Sequence, residues 1–275
     1  MYRHEGDPPT YAFESMQSPR VAQAVFTRLG GASRGAFASL NVGHTVGDDP
    51  TDVEANHETI CRILGISADE IVTAHQVHGH RVARVSRDDG GTVVPETDAL
   101  ITNDPGVVLL LRFADCTPVL ISAPSYGAVG IAHAGWRGTV QRIAALTVRA
   151  MCEAFGCRPS DCFVGIGPAI GACCYQVGPE VVADVHSRFS GADLLFSHRT
   201  PDGRAHLDMA LANEMQLREI GVTHIEASGL CTRCHRDEFF SYRGDHGHTG
   251  RFAACIGLRS AATQRDLSAK SGNGD

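Results

Sequence analysis

Six short apolar runs of β type succeed one another between residues 71 and 132: Ile71 to Ala74, Arg81 to Val85, Ala99 to Thr102, Val107 to Leu111, Val119 to Ser122 and Ala128 to Ala132. Such density argues against regular strand–helix–strand alternation and predicts a sizeable mixed or antiparallel sheet region. Further strands are expected at Val21 to Thr27, from Phe163 into a turn at Pro168, at Ile225 to Ala227 and at Phe252 to Ile256. Helices surround this framework. Asp48-Asp49-Pro50-Thr51-Asp52 reads as a helix start, with Thr51 or Asp52 capping and acidic charge in the first turn. That helix carries Val53, His57, Ile60, Ile63 and Leu64 towards one side and stops at Gly65. Thr139 to Phe155 reads as the longest helix, and two more are expected over Pro179 to Arg188 and Met209 to Ile220.

With no internal repeat and no linker, residues 19–262 are expected to form one α+β catalytic domain. Residues 1–18, Pro-rich and polar, are expected to be disordered, and residues 263–275 to form a disordered tail. A hydrophobic fraction of 43% over 275 residues supports a substantial core. The formal net charge of −7 leaves no broad basic surface, which argues against a nucleic-acid or anionic-membrane binder. The N-terminus lacks the apolar core of a signal peptide, and no run is long enough to span a membrane, so a cytoplasmic protein is expected. Ten cysteines then read as reduced thiols. Cys61, Cys152, Cys162, Cys173, Cys174 and Cys255 lie in apolar or small-residue surroundings, where Cys packs as a small hydrophobe.

Four polar segments interrupt the apolar framework: His75-Gln76-Val77-His78-Gly79-His80, Ala114-Asp115-Cys116, His133-Ala134-Gly135-Trp136-Arg137-Gly138, and Cys231-Thr232-Arg233-Cys234-His235. His78, Cys116 and His133 come from three separate strand ends. Three N/S donors with an open position make a catalytic metal site, whereas Cys116 and His133 alone make a nucleophile–base dyad. The residues by themselves leave both open.

Together with Asp98-Ala99-Leu100-Ile101-Thr102, Thr117-Pro118, Gly165-Ile166-Gly167-Pro168-Ala169-Ile170-Gly171 and Phe240-Ser241-Tyr242-Arg243, these segments stand in an order that resembles the laccase-domain family. Its members were first called multicopper polyphenol oxidases and are now described as purine nucleoside phosphorylases or peptidoglycan-editing factors. The likeness runs from about Phe26 to Ile256, and the His-Ala-Gly-Trp-Arg-Gly block is its most specific part. The resemblance implies a single domain of mixed β-sheets packed in layers with flanking helices. It implies zinc held by His78, Cys116 and His133. It also implies phosphorolysis of adenosine, inosine, guanosine and S-methyl-5'-thioadenosine, with adenosine deamination.

Purine nucleosides and phosphate are then the expected partners, with no nucleic acid and no membrane. Cys116, His133 and Arg137 are the catalytic candidates; Asn41, His57 and Arg137 are the candidates for substrate binding. Arg137 is placed to grip phosphate in a bidentate fashion, unless it is an ordinary ion-paired helix-start residue. Asn41 is otherwise a turn-forming residue, and His57 a helix-face residue. Where the family commonly has Asn-Arg after the Asp-Asp-Pro helix start, this chain has Asn56-His57, so phosphate affinity there is expected to be weaker or pH-dependent. A second departure is Gly244 after Arg243, where a second Arg usually stands.

Cys231-x-x-Cys234-His235 matches the spacing of covalent haem attachment, but without a secretory signal or an evident distal Met this reading is set aside. A second zinc on Cys231 and Cys234 needs two further ligands, for which His235, His246 and His248 are candidates. The His-x-His pairs at 78–80 and 246–248 are too few for a multicopper centre. The usual zinc-deaminase signature is missing, which leaves Asp115 or a water network as acid/base for any deamination. The competing function is a metal-free Cys–His hydrolase of an amide or peptidoglycan precursor, with Cys116 as nucleophile and His133 as base.

Overall fold

A computed structural model describes residues 1–259; the tail expected over 263–275 lies outside them. Two mixed sheets lie face to face. The larger has the strand order Tyr2–His4, Thr10–Ala12, Val21–Phe26, Phe252–Leu258, Val108–Phe113, Ile71–Ala74, Val93–Val94. The smaller runs His224–Ala227, Phe163–Ile166, Thr117–Ala123, Ala128–Ala134, Ala99–Thr102, Val82–Arg84.

Side chains alternate across each strand, and this alternation builds the layers. Leu109, Leu111 and Phe113 of the larger sheet meet Leu100, Leu120, Val129 and Ile131 of the smaller one in the central core. The intervening residues face outward. Val108 and Leu110 pack under helix α1 (Pro50–Leu64), beside Ile60 and Cys61. Ile101, Val119, Ile121 and Ala132 pack under helix α3 (Ile143–Phe155), which follows the short helix α2 (Trp136–Val140). Both faces of the central strands are therefore covered, which is why their sequences read as continuous apolar runs. Each fully buried Leu or Phe of that core contributes ~1.5–3 kcal/mol relative to exposure. Helices α4 (Pro179–Arg188) and α5 (Met209–Glu219) close a third region over a small sheet of Gln176–Val177, Ala205–Leu207 and Phe196–Ser197. Among the described residues no helix is long and apolar enough to cross a membrane.

The structure corrects the sequence reading in four places. Residues 1–18 are not disordered: Tyr2–His4 pairs with Thr10–Ala12, which pairs with Val21–Phe26. Phe13 and Met16 anchor the segment in the central core, and the Met1 ammonium pairs with Glu226. The helix expected from Thr139 to Phe155 is broken, because Arg142 adopts a left-handed φ of 67° between α2 and α3. Gln216 takes the Thr139 carbonyl at 2.9 Å, on the last turn before the break. Helix α1 is capped by Asp49, which accepts from the Thr51 amide, rather than by Thr51 or Asp52. The three-stranded sheet escapes sequence reading because strands of two or three residues carry too little alternation.

Candidate active site and metal centre

Strand register gathers the polar segments at one end of the smaller sheet. Ala134 lies opposite Thr117 and Ala132 opposite Ala99, so Cys116 falls beside Gly135 and Asp98 beside His133. The chain crosses from the larger to the smaller sheet through Ala114-Asp115-Cys116. His78 stands in the turn between Ile71–Ala74 of one sheet and Val82–Arg84 of the other.

The ligand atoms of His78, Cys116 and His133 all lie within 4.8 Å of one another. The two imidazoles meet edge to face at 4.8 Å, and Phe113 backs the His133 ring at 5.5 Å. His133 is buried, while His78 is exposed and Cys116 half-buried, so the cluster opens to solvent on the His78 side. A Cβ on Gly135 would lie 3.0 Å from Cys116 Sγ and 3.1 Å from the His78 ring, so the missing side chain is what lets the three groups close up.

One buried carboxylate organises both histidines. Asp98 Oδ1 accepts from His133 Nδ1 at 2.8 Å and from the His78 amide at 3.0 Å. Its Oδ2 accepts from the amides of Val77 at 3.1 Å and Gly79 at 2.7 Å. His78 sits at a left-handed φ of 59°, a conformation costly for a residue with a side chain. The three amide bonds to Asp98 hold that turn. They also keep Asp98 ionised: burial opposes its charge, but the His133 contact and the amides outweigh it and lower its pKa. An ionised Asp98 fixes the His133 proton on Nδ1 and leaves Nε2 directed at the sulfur, the partner arrangement of metal-bound histidines.

Electrostatics follow from this packing. Burial pushes the Cys116 thiol up, but His133 and then His78 more than offset it, bringing the thiol down to about 6. Burial pushes His133 down, but the Cys116 sulfur and Asp98 raise it to about 9.

Residues 22–259 match the family described as multi-copper polyphenol oxidoreductase laccase. The chain belongs to this family. It is 44% identical over 246 residues to the purine nucleoside phosphorylase YlmD of Geobacillus stearothermophilus, covering 86% of this chain and 90% of that one. It is 33% identical over 227 residues to the adenosine deaminase RL5 of an unknown prokaryotic organism, covering 79% and 86%. The crystal structure of YlmD from Geobacillus stearothermophilus matches with a TM-score of 0.85 at 42% identity, over 89% of this chain and 94% of that one. That of the hypothetical protein YfiH of Bacillus licheniformis matches with a TM-score of 0.84 at 37% identity, over 87% and 93%. The family inferred from the motifs is the one found, and the layered α+β architecture agrees with these relatives.

The laccase-family motifs around the centre have separable tasks. Asp115 is buried at a φ of 84° and fully engaged: Oδ1 accepts from Thr232 and Ser241, each at 2.7 Å, and Oδ2 from the Arg243 amide at 2.6 Å. It ties the Cys231-Thr232 and Ser241-Tyr242-Arg243 segments to the residue before Cys116, and the acid/base role entertained for it is withdrawn. Arg137 is exposed, with its guanidinium 4.3 Å above the Trp136 ring and no side-chain hydrogen bond among the described residues. The Arg243 guanidinium lies 5.3 Å from the Tyr175 ring, and the charges of Cys116, Arg243 and Arg137 all act on the Tyr175 phenol, which burial chiefly pushes up.

Asn41 and His57 are placed elsewhere. Asn41 is fully buried, its amide spent on Asp48 at 2.7 Å and on the amides of Arg251 at 2.8 Å and Gly43 at 2.9 Å. This is the turn-forming role, and the structure leaves its side chain no free atom to offer a substrate. His57 stacks on His44 at 4.8 Å and lies 3.3 Å from the Val42 carbonyl. Both histidines line a cavity of about 350 Å³ with Glu54, Thr73 and Arg112. Arg112 and Phe113 are consecutive in one strand, so this cavity is on the face opposite the one that backs His133. The structure therefore does not bring His57 against the triad. Burial and then Arg112 hold His57 down at about 4, so any cation offered there at neutral pH is Arg112, which sequence reasoning missed. Asp98 was missed as well, although it heads a recognised motif; its partner becomes visible only through the register.

Proposed function

We propose that the protein is a zinc-dependent purine nucleoside phosphorylase for adenosine, inosine, guanosine and S-methyl-5'-thioadenosine, with adenosine deaminase activity. The observation that carries this reading is the closure of His78, Cys116 and His133 on one solvent-facing point, with Asp98 behind and Gly135, which has no side chain, beside them. One thiolate and two imidazoles suit zinc, and three protein donors at an open site are the mark of a catalytic rather than a structural centre. Zinc bound there would supply a Lewis acid beside the substrate. The names of the relatives, purine nucleoside phosphorylase and adenosine deaminase, support the substrate class.

In phosphorolysis a phosphate oxygen bonds to the anomeric carbon while the glycosidic C–N bond breaks. The electron pair leaves on the purine nitrogen, which takes up a proton, giving the sugar 1-phosphate and free base. Arg137, whose side chain has no hydrogen bond among the described residues and stacks on Trp136, holds the phosphate by its parallel N–H donors.

One observation favours a second reading. In the metal-free protein Cys116 near 6 and His133 near 9, with Asp98 behind, make a thiolate–imidazolium pair fit for hydrolysis of an amide or a peptidoglycan precursor. His78, a second imidazole on the same sulfur, has no task in such a dyad, and this weighs for the metal.

Incubation with adenosine and phosphate, with and without a chelator, tests both. The expected products are adenine and ribose 1-phosphate, with some inosine; chelation abolishes turnover and zinc restores it. Activity that resists chelation but yields a trappable acyl adduct on Cys116 overturns the phosphorylase reading. A blue centre on purification would mean copper in the same His2Cys set and overturn zinc. Arg137→Gln should raise the KM for phosphate by about 10- to 100-fold with zinc content unchanged.

A further inference from the structure

Away from the triad, Cys173, Cys174, Cys231 and Cys234 converge, with all four Sγ atoms within 4.8 Å of one another. Cys173 and Cys174 each approach Cys234, at 3.7 and 3.6 Å. Four thiolates around one zinc at ~2.3 Å sit roughly 3.8 Å apart by tetrahedral geometry, so these separations need little adjustment. A disulfide needs a sulfur separation of ~2.05 Å. We propose that these four cysteines form a second, structural zinc site of tetrathiolate type.

Packing alone does not account for the cluster. Cys173 and Cys234 are exposed, so the reading of Cys173 as a buried small hydrophobe fails. The trio Cys152, Cys157 and Cys162 makes the contrast, since two of its members are buried and all lie against the apolar layer under α3. The backbone around the four thiols is also built for ligation. The amides of Cys234 and His235 both turn back to the Cys231 carbonyl, at 3.1 and 3.0 Å, so that the Cys-x-x-Cys segment folds into a tight knuckle. The Gly171 amide donates to Cys231 Sγ at 3.2 Å, a bond that favours thiolate. A Cβ on Gly171 would lie 3.2 Å from Cys231 Cβ and 3.3 Å from Cys173 Sγ, so the loop packs tightly against the thiols. The two ligands that Cys231 and Cys234 require come from the neighbouring loop, not from His235, His246 or His248.

The site clips together two loops that frame the triad. Ile170, just before Gly171, donates its amide to the Asp115 carbonyl at 2.9 Å, and Thr232, just after Cys231, donates to the Asp115 carboxylate at 2.7 Å. Both loops thus bear on the residue preceding Cys116. The inference does not depend on the phosphorylase reading, because the tetrathiolate would bind zinc whatever the triad catalyses.

The test is zinc content per chain in full-length protein purified under reducing conditions. Cys173→Ser/Cys234→Ser should lose one equivalent relative to the wild type, while Cys116→Ser keeps that equivalent. Cobalt substituted for zinc should show the strong sulfur charge-transfer absorption of a tetrathiolate in wild type and Cys116→Ser, and lose it in the double variant. Unchanged zinc content in the double variant overturns the proposal. So does iron in place of zinc, or a disulfide within the cluster in untreated protein. Should the double variant fail to fold, thiol titration of the wild type replaces it. A chelator should expose four additional reactive thiols that map to these positions, and an unchanged count at these positions overturns the site.

Discussion

Two pairs of histidines, served by the two faces of one strand, have opposite charge habits. Phe113 backs His133, which lies between the Cys116 sulfur and Asp98; those partners overcome burial and hold it near 9. Arg112, one residue earlier, faces the cavity of His44 and His57, where burial and the guanidinium act together and hold His57 near 4. The imidazole itself is the same. What differs is whether its buried neighbours are anions or a cation. The first environment gathers positive charge and suits a metal; the second keeps its histidine neutral at physiological pH.

Asp98→Asn strikes the comparison where it is strongest. The amide nitrogen would face at least one of the N–H donors of Val77, His78 and Gly79, and the anion that raises His133 is gone. Zinc affinity and turnover should fall by about 10- to 100-fold, and unfolding free energy by about 2–4 kcal/mol. Equilibrium dialysis and urea denaturation read the two effects. Zinc binding within threefold of the wild type would mean that the carboxylate does not orient the ligands.

Gly135→Ala sharpens the same side without touching charge. Gly135 has a φ of −69°, which alanine adopts freely, so any effect comes from the methyl group against Cys116 and His78. Zinc affinity should drop about 10-fold or more with stability within about 1 kcal/mol of the wild type. Equal losses of stability and affinity would show that the glycine serves the fold rather than the centre.

The two sides differ as much in legibility. His78, Cys116 and His133 stand out because each belongs to a polar segment that breaks an apolar strand, and family likeness points to the same three. Asp98 is one acid before an ordinary strand, and its role depends on pairing Ala99 with Ala132, information held in tertiary register. Arg112 hides inside the apolar run 108–113, where strand alternation sends it to the outer face. Cys173 and Cys174 sit among small residues 57 or more positions from Cys231, and their loop is brought beside it by the bridge between Ala169 and Cys231. The central strands were readable from their apolar runs, and their packing in layers only through the family resemblance; the N-terminal strands were not, because two prolines and several charges mask the Phe13 and Met16 anchors.

His57→Phe tests the cationic side through stability. Unfolded, the histidine takes up a proton near 6.5; folded, it resists until about 4. Its stabilising contribution is therefore complete above pH 6.5 and is lost as pH falls through 4. The wild type should lose on the order of 3 kcal/mol from this group across that window. Phenylalanine keeps a ring to stack on His44 but cannot titrate, so the acid limb of the stability profile should flatten. An acid limb as steep as the wild type's would place the pH dependence elsewhere.

Arg112→Met gives the smallest effect and separates the two causes acting on His57. Burial is the larger cause and remains when the guanidinium is replaced by an apolar chain. The His57 pKa should rise from about 4 yet stay below 6.5, as read from the ring proton shifts in an NMR titration. His133, served by the other face of the strand, should not move. A His57 that titrates at 6.5 in the variant would assign the whole depression to the Arg112 charge, and one that does not move would assign it all to burial. A shift at His133 would couple the two faces that the strand now separates.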